Sequence, residues 1–151
     1  MRTLVRYLPA TARILLGLVF TVFGLNGFLH FLPTPPMPGP AGQFAMALGA
    51  TGYMFPLLKS VEVASGLLLL SGRLVPLALV LLAPVIVNIA LFHFVLTPGQ
   101  VGMPVVLLAL EIFLAWAYRD AFRGVLDARA QPRLSVEEPP AAQPARDLSA
   151  I

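Results

Sequence analysis

Four apolar segments are separated along the chain by connections that contain proline, glycine or arginine. They cover roughly residues 12–32, 53–71, 75–96 and 101–118. Each has the ~17–25 residues that an α-helix needs to cross a hydrocarbon core about 30 Å thick. The pattern therefore predicts an all-α integral membrane protein, a four-helix bundle formed by residues 1–127. Residues 128–151, rich in Ala, Pro and Arg, have a composition typical of a disordered cytoplasmic tail.

The connections differ in charge according to the side of the membrane they would occupy. Residues 33–52 and 97–102 contain no charged residue, whereas every basic residue except Lys59 lies at or before the start of the first segment, between the second and third, or after the fourth. By the positive-inside rule, both termini are predicted to be cytoplasmic, in a plasma (inner) membrane. The first segment is longer than the apolar part of a signal peptide and lacks a small-residue cleavage site, so we expect it to be retained. In the first outer connection, residues 33–40 are proline-dense and residues 43–48 predict one short helix, a connector or a lid.

Composition strengthens the membrane interpretation and removes several kinds of chemistry. The chain is 58% hydrophobic and 11% charged, whereas about a quarter of the residues of a soluble domain are charged. The net charge of +3 lies at segment ends, where lipid headgroups would meet it, so nucleic acid is not an expected partner. The absence of cysteine excludes disulfides, thiolate metal sites and cysteine-ligated iron–sulfur clusters in this chain. No metal site is predicted.

Polar side chains within the apolar segments are the candidates for a ligand or proton site, because such groups are costly in lipid. They are Asn26, His30, Lys59, Glu62, Asn88, His93 and Glu111. At about 1.5 Å per residue, all of them fall in the outer half of the predicted bundle. The inner half is almost wholly apolar. The sequence therefore predicts a polar pocket in the outer half, although none of these residues can be assigned a catalytic role.

The charges within this set do not balance. Lys59 and Glu62 are three residues apart and can pair on one helix face. One carboxylate is then left over, and an unpaired buried carboxylate tends to bind a proton or attract a cation. Proton exchange at Glu62 or Glu111 is one interpretation. The alternative is a purely structural Lys59–Glu62 pair, with Glu111 hydrogen-bonded to Asn88.

The order of polar residues also suggests an internal repeat. Asn26 and His30 end the first segment, Asn88 and His93 end the third, and each is followed by a returning segment with a glutamate. This predicts two similar helical hairpins related by a pseudo-two-fold axis along the membrane normal. The spacing is imperfect. Asn26 and His30, four apart, share a helix face, whereas Asn88 and His93, five apart, differ by roughly 140°.

Short motifs in the same segments resemble those of the DoxX family of small four-span membrane proteins. The motifs are Arg13-x3-Gly17, Gly24-x-Asn26-Gly-Phe, Glu62-x3-Gly66-x5-Gly72-Arg73, Asn88 and Glu111, spread over residues 12–122. The family takes its name from a membrane subunit of a thiosulfate:quinone oxidoreductase, and other members are linked to redox or oxidative-stress systems. The resemblance implies a membrane-embedded bundle. If an enzymatic role exists, it implies an accessory subunit of a membrane oxidoreductase.

Three functional hypotheses follow. In the first, the protein is a redox-associated membrane subunit whose pocket binds a quinone or a similar small molecule, with a redox enzyme subunit or a second copy as partner. In the second, it is a non-catalytic scaffold or assembly partner whose polar residues fix helix register. In the third, it is a small proton-coupled transporter. A haem held between His30 and His93 is a minor alternative, because two histidines alone are weak evidence for one.

Overall fold

The computed structural model describes residues 2–33, 36–124 and 127–128, and side chains from residue 7 onward. The described chain is all-α, as predicted. Its helices are α1 (Arg2–Leu29), α2 (Gly39–Ala50), α3 (Met54–Ser71), α4 (Val75–Leu96) and α5 (Gly102–Ala117), with short 3-10 helices at Pro98–Gln100 and Arg119–Phe122. The tail predicted at residues 128–151 lies, apart from residue 128, outside the described residues.

Three of the described helices are long and apolar enough to cross a membrane by length and composition. They are Tyr7–Leu29, Met54–Ser71 and Val75–Leu96. At 1.5 Å per residue the 18 residues of α3 extend about 27 Å, close to the thickness of a hydrocarbon core. The fourth predicted segment forms α5, an apolar helix of 16 residues and therefore about 24 Å. The structure supports a helical membrane protein on these grounds.

The four long helices pack around a common core in the order α1, α3, α4, α5, with α5 returning to contact α1. The core consists of apolar side chains from all four helices. The largest fully buried ones are Leu16, Leu69, Leu79, Leu82, Ile86 and Leu114. Because these residues belong mainly to the predicted cytoplasmic half, that half is the packed, apolar part of the molecule.

Helices α1 and α3 form the closest contact, and glycines make it possible. A Cβ atom on Gly17 would lie 3.0 Å from the Gly66 carbonyl oxygen, and one on Gly66 would lie 2.9 Å from the Gly17 carbonyl oxygen. Further along the interface, Gly24 lies against Val63. Residue numbers therefore rise along α1 as they fall along α3. The two helices are therefore antiparallel and in backbone contact, the packing that small-residue faces favour in membranes.

Prolines, a glycine and an arginine mark the ends of the long helices. Pro56, Pro76 and Pro104 lie in the first turns of α3, α4 and α5, where a missing N–H costs little. Gly72 ends α3 in a left-handed conformation with φ 71°. The Arg13 guanidinium donates hydrogen bonds to the carbonyl oxygens of Leu69 and Leu70, the last turn of α3.

The short helix predicted in the first outer connection is present as α2, and it is longer than predicted. Pro38, just before α2, has an extended backbone with φ −74° and ψ 161°, but Pro40, part of the proline-dense stretch in the sequence, lies in the first turn of α2. This correction has a simple reason, since proline fits the first helical turn. Helix α2 packs on α3 and α4, and the rings of Phe44 and Phe92 are 5.7 Å apart.

Candidate functional site

A cavity of about 380 Å³ lies between α1, α3, α4 and α5, and we call it the central cavity. Its walls are mostly apolar and aromatic. They comprise Val19, Phe20, Phe23, Phe55, Leu58, Ile89, Met103 and Leu107. Three polar side chains complete the lining, Lys59, Glu62 and His93. An apolar cavity with a few convergent polar groups is the usual form of a small-molecule site.

Lys59 and Glu62 form the ion pair that their spacing predicts. The Lys59 Nζ atom lies 2.8 Å from Glu62 Oε2, and the two side chains are 17% and 4% exposed. The Lys59 ammonium also lies 5.5 Å from the centre of the Phe55 ring, a cation–π contact. One ammonium hydrogen meets Glu62, so the group can still donate to a ligand.

Glycines on α1 create the space that this pair occupies. A Cβ atom on Gly27 would lie 2.5 Å from Lys59 Cγ, and one on Gly24 would lie 3.1 Å from Glu62 Cβ. Both distances are shorter than a normal carbon–carbon contact. The missing side chains at these two positions therefore allow a charged pair to lie against α1 at the edge of the cavity.

His93 lies on α4, half-buried, with its ring fixed by two contacts. Its Nδ1 atom is 2.8 Å from the Ile89 carbonyl oxygen, and its ring stacks edge-on with Phe92 at 5.2 Å. A carbonyl oxygen only accepts, so Nδ1 carries a proton, and in the neutral ring Nε2 remains to accept a hydrogen bond. The Phe44–Phe92 contact links this histidine to α2 outside the cavity.

A second cavity of about 350 Å³, which we call the outer cavity, adjoins the central one and shares Phe23, Phe55 and Lys59 with it. Asn26 and His30 line it. Since Lys59 belongs to both, these two cavities bring together five of the seven predicted site residues.

Asn26 and His30 line the same cavity, but their backbone arrangement differs from the predicted shared helix face. Helix α1 ends at Leu29, and His30 has a left-handed backbone with φ 51°, so the two residues do not share a helix face. The Asn26 side-chain oxygen accepts a 2.6 Å hydrogen bond from the Leu32 N–H, and its carbonyl oxygen accepts one from the His30 N–H. These bonds close the end of α1 into a turn, because polar groups at a helix end need partners.

The two remaining predicted residues lie elsewhere. Asn88 is exposed on α4 in a groove beside Phe44. Glu111 is 7% exposed on α5, four residues after the cavity residue Leu107, and its Oε2 atom has no hydrogen-bond partner within the described residues. The alternative bond between Glu111 and Asn88 is therefore not formed. Asn26 and Asn88 also have different surroundings, so the predicted hairpin repeat is not matched at its asparagines.

The same geometry bears on the minor haem alternative and on metal binding. His30 and His93 line different cavities, an arrangement that does not place them as two axial ligands of one haem. Within the described residues there is no group of three potential metal-binding side chains.

Two hydroxyl groups near the site were missed by sequence reasoning. Ser65 is fully buried three residues after Glu62, and Thr21 lies against Gly66 across the α1–α3 contact. Neither hydroxyl has a hydrogen-bond partner in the described part of the chain. The spacing of Ser65 from Glu62, which puts both on one face of α3, was the signal available in the sequence.

The site as a whole is an apolar chamber with an ion pair and one imidazole at its polar edge. Such a chamber can hold an apolar ring, donate a hydrogen bond to it from Lys59 and accept one from it at His93. No protein-family model, curated protein sequence or solved structure matches this chain.

Proposed function

We propose that the protein is a four-span, DoxX-like membrane protein, a redox-associated subunit that binds a quinone or a similar ring molecule in the central cavity. The observation that carries this proposal is the convergence of Lys59, Glu62 and His93 on one otherwise apolar cavity. The motif resemblance supports the redox association. The polar cluster supports the ligand class.

The size and lining of the cavity suit a substituted ring. A volume of about 380 Å³ lies within the roughly 300–1,000 Å³ range of small-molecule pockets. The Lys59 ammonium is placed to donate to a ring carbonyl, and His93 Nε2 to accept from a ring hydroxyl. Glu62 holds the Lys59 ammonium in place through the 2.8 Å ion pair.

The redox chemistry would belong to the bound ring and to a partner, because the chain has no cysteine to exchange electrons. The residues of this chain would bind the ring, orient its oxygens and exclude water from it. The protein would then act as an accessory subunit of a membrane oxidoreductase.

Titration of a short-chain quinone into the purified protein, followed by calorimetry, tests the proposal. We expect saturable binding that weakens at least tenfold in His93→Phe and in Lys59→Met, since about 1.4 kcal/mol of lost hydrogen bonding is a factor of ten. Ser60→Ala is the matched control, because Ser60 is exposed, adjoins Lys59 and bonds only to the Pro56 carbonyl oxygen. Absence of binding by the unaltered protein, or unchanged affinity in both cavity variants, would contradict the proposal.

A scaffold role is the second candidate, favoured by the Lys59–Glu62 pair, in which two charges of α3 satisfy each other where that helix packs on Gly24 and Gly27 of α1. The same titration separates the two. In a scaffold, His93→Phe and Lys59→Met alter thermal stability, and the protein shows no saturable quinone binding. The packed apolar core around Leu16, Leu69 and Leu82 makes a transport pathway a weaker candidate than either.

A further inference from the structure

The outward face of α4 carries a polar group where lipid would surround it. This helix is the most apolar of the three candidate spans, with a mean hydropathy of 2.6, and contains no charged residue. Asn88 lies eight residues before its outer end, about 12 Å into the helix. Its side chain is exposed and has no hydrogen-bond partner among the described residues.

An exposed amide at this depth is unfavourable unless another molecule satisfies it. In hydrocarbon no water is available, and an unpaired polar group costs several kcal/mol. The neighbours of Asn88 on this face are apolar, since Leu91 is 56% and Val95 70% exposed. A partner that is apolar along its length and offers a hydrogen-bonding group at one depth would satisfy this face.

The shape of the face fits a second helix. Val80, Pro84, Asn88, Leu91 and Val95 follow one another at spacings of four, four, three and four, so they form a single stripe, which we call the α4 stripe. Residues of the stripe line two grooves at different depths, one of about 300 Å³ next to Phe44 on α2 and one of about 310 Å³ next to Met54 on α3. A row of side chains with an open groove beside it is a surface on which a second helix can interlock.

We propose that the α4 stripe binds the α4 stripe of a second copy of this chain, with the two Asn88 side chains hydrogen-bonded to each other. All copies of a membrane protein share one orientation, so a two-fold axis must run along the membrane normal and equivalent residues meet at equal depth. Asparagine carries both donors and an acceptor and can therefore pair with itself. Closed two-fold dimers are also the commonest assemblies.

This inference is independent of the central cavity. The α4 stripe faces away from the residues that line that cavity, and Asn88 is not among them. Dimerisation can therefore be present or absent whether or not the protein binds a quinone.

Single-cysteine crosslinking in membranes tests the proposal, and the natural absence of cysteine makes the result unambiguous. Leu91→Cys should form a disulfide-linked dimer under mild oxidation. Leu25→Cys, on the exposed side of α1 at a similar depth, is the control and should remain monomeric. Adding Asn88→Leu to Leu91→Cys should weaken association in diluted proteoliposomes about three- to twentyfold, the range for interhelical hydrogen bonds.

Asn88→Gln provides a check on folding, since it keeps the amide and should retain most of the crosslinking. The proposal is overturned if Leu91→Cys forms no dimer, if Asn88→Leu leaves the dimer unchanged, or if the crosslinked product contains a different protein. In that last outcome the α4 stripe binds a heterologous helix.

Discussion

Arg13 illustrates what a single side chain can do at the end of a helix in this protein. Its guanidinium is half-buried and donates hydrogen bonds to the carbonyl oxygens of Leu69 and Leu70. Those carbonyls belong to the last turn of α3, where few backbone N–H groups are available and the helix dipole favours a positive charge. The Gly72 N–H also donates to the Leu69 carbonyl oxygen. From the sequence this arginine indicated only the cytoplasmic side, because its partner carbonyls are more than fifty residues away.

Replacing Arg13 should therefore cost more than the loss of a surface charge. We expect Arg13→Gln to lower the free energy of unfolding by about 1–3 kcal/mol, from hydrogen bonds to a charged group and from the helix dipole. Thermal unfolding in detergent, followed by circular dichroism, measures the change. Arg73→Gln removes an equal charge from an exposed position near the same turn and should be almost neutral. Equal effects of the two substitutions would contradict the capping role.

At the scale of the helices, the contact between α1 and α3 positions the candidate site. Gly17 and Gly66 bring the two backbones together, and Gly24 and Gly27 then leave room for Glu62 and Lys59. The glycines of both helices are visible in the sequence. Their effect on the space around the ion pair is not, because it depends on which residues meet across the interface.

The tightest of these contacts provides a stability test. A Cβ atom on Gly66 would lie 2.7 Å from the Thr21 backbone nitrogen and 2.9 Å from the Gly17 carbonyl oxygen. Backbone atoms cannot move aside without separating the helices, so Gly66→Ala should destabilise the protein by about 1–3 kcal/mol. Chemical or thermal unfolding in micelles would measure this.

Gly49→Ala is the control for that test, because a Cβ atom at Gly49 meets nothing within 4 Å. It should be neutral or slightly stabilising, since alanine favours α2 more than glycine does. A neutral Gly66→Ala would show that α1 and α3 are less closely packed than the structure has them.

At the scale of the molecule, the number of helices that cross the membrane decides on which side the C-terminus lies. Three helices have the length and composition to do so, while α5 has 16 residues. Four crossings place both termini on the cytoplasmic side, as the distribution of arginines predicts. Three crossings would instead put the C-terminal arginines on the outer side.

Cysteine labelling of the natural cysteine-free chain can separate these arrangements. With an impermeant maleimide on intact cells, Gln43→Cys and Gln100→Cys should be labelled directly. Asp120→Cys, after α5, should be labelled only once the membrane is permeabilised, because four crossings return the chain to the inside. Labelling of Asp120→Cys in intact cells would contradict the four-span arrangement.

The sequence by itself determined the helices, their apolar character and the short helix between the first two long ones, because hydropathy, proline and glycine act locally along the chain. It also predicts a similar depth for the polar residues, since depth follows directly from rise per residue. Only the tertiary structure decided which of them meet. Lys59 joins Glu62 and His93 in one cavity and Asn26 and His30 in the other.

Asn88 shows most clearly why the sequence could not predict which polar residues meet. It lies five residues before His93, roughly 140° around the same helix, so one of the two had to face away from the shared cavity. Which one did so depended on the rotation of α4, and that rotation is set by contacts with other helices, such as Phe92 against Phe44. The depth of a residue depends on its own helix alone, whereas the direction in which its side chain points depends on how the helices pack together.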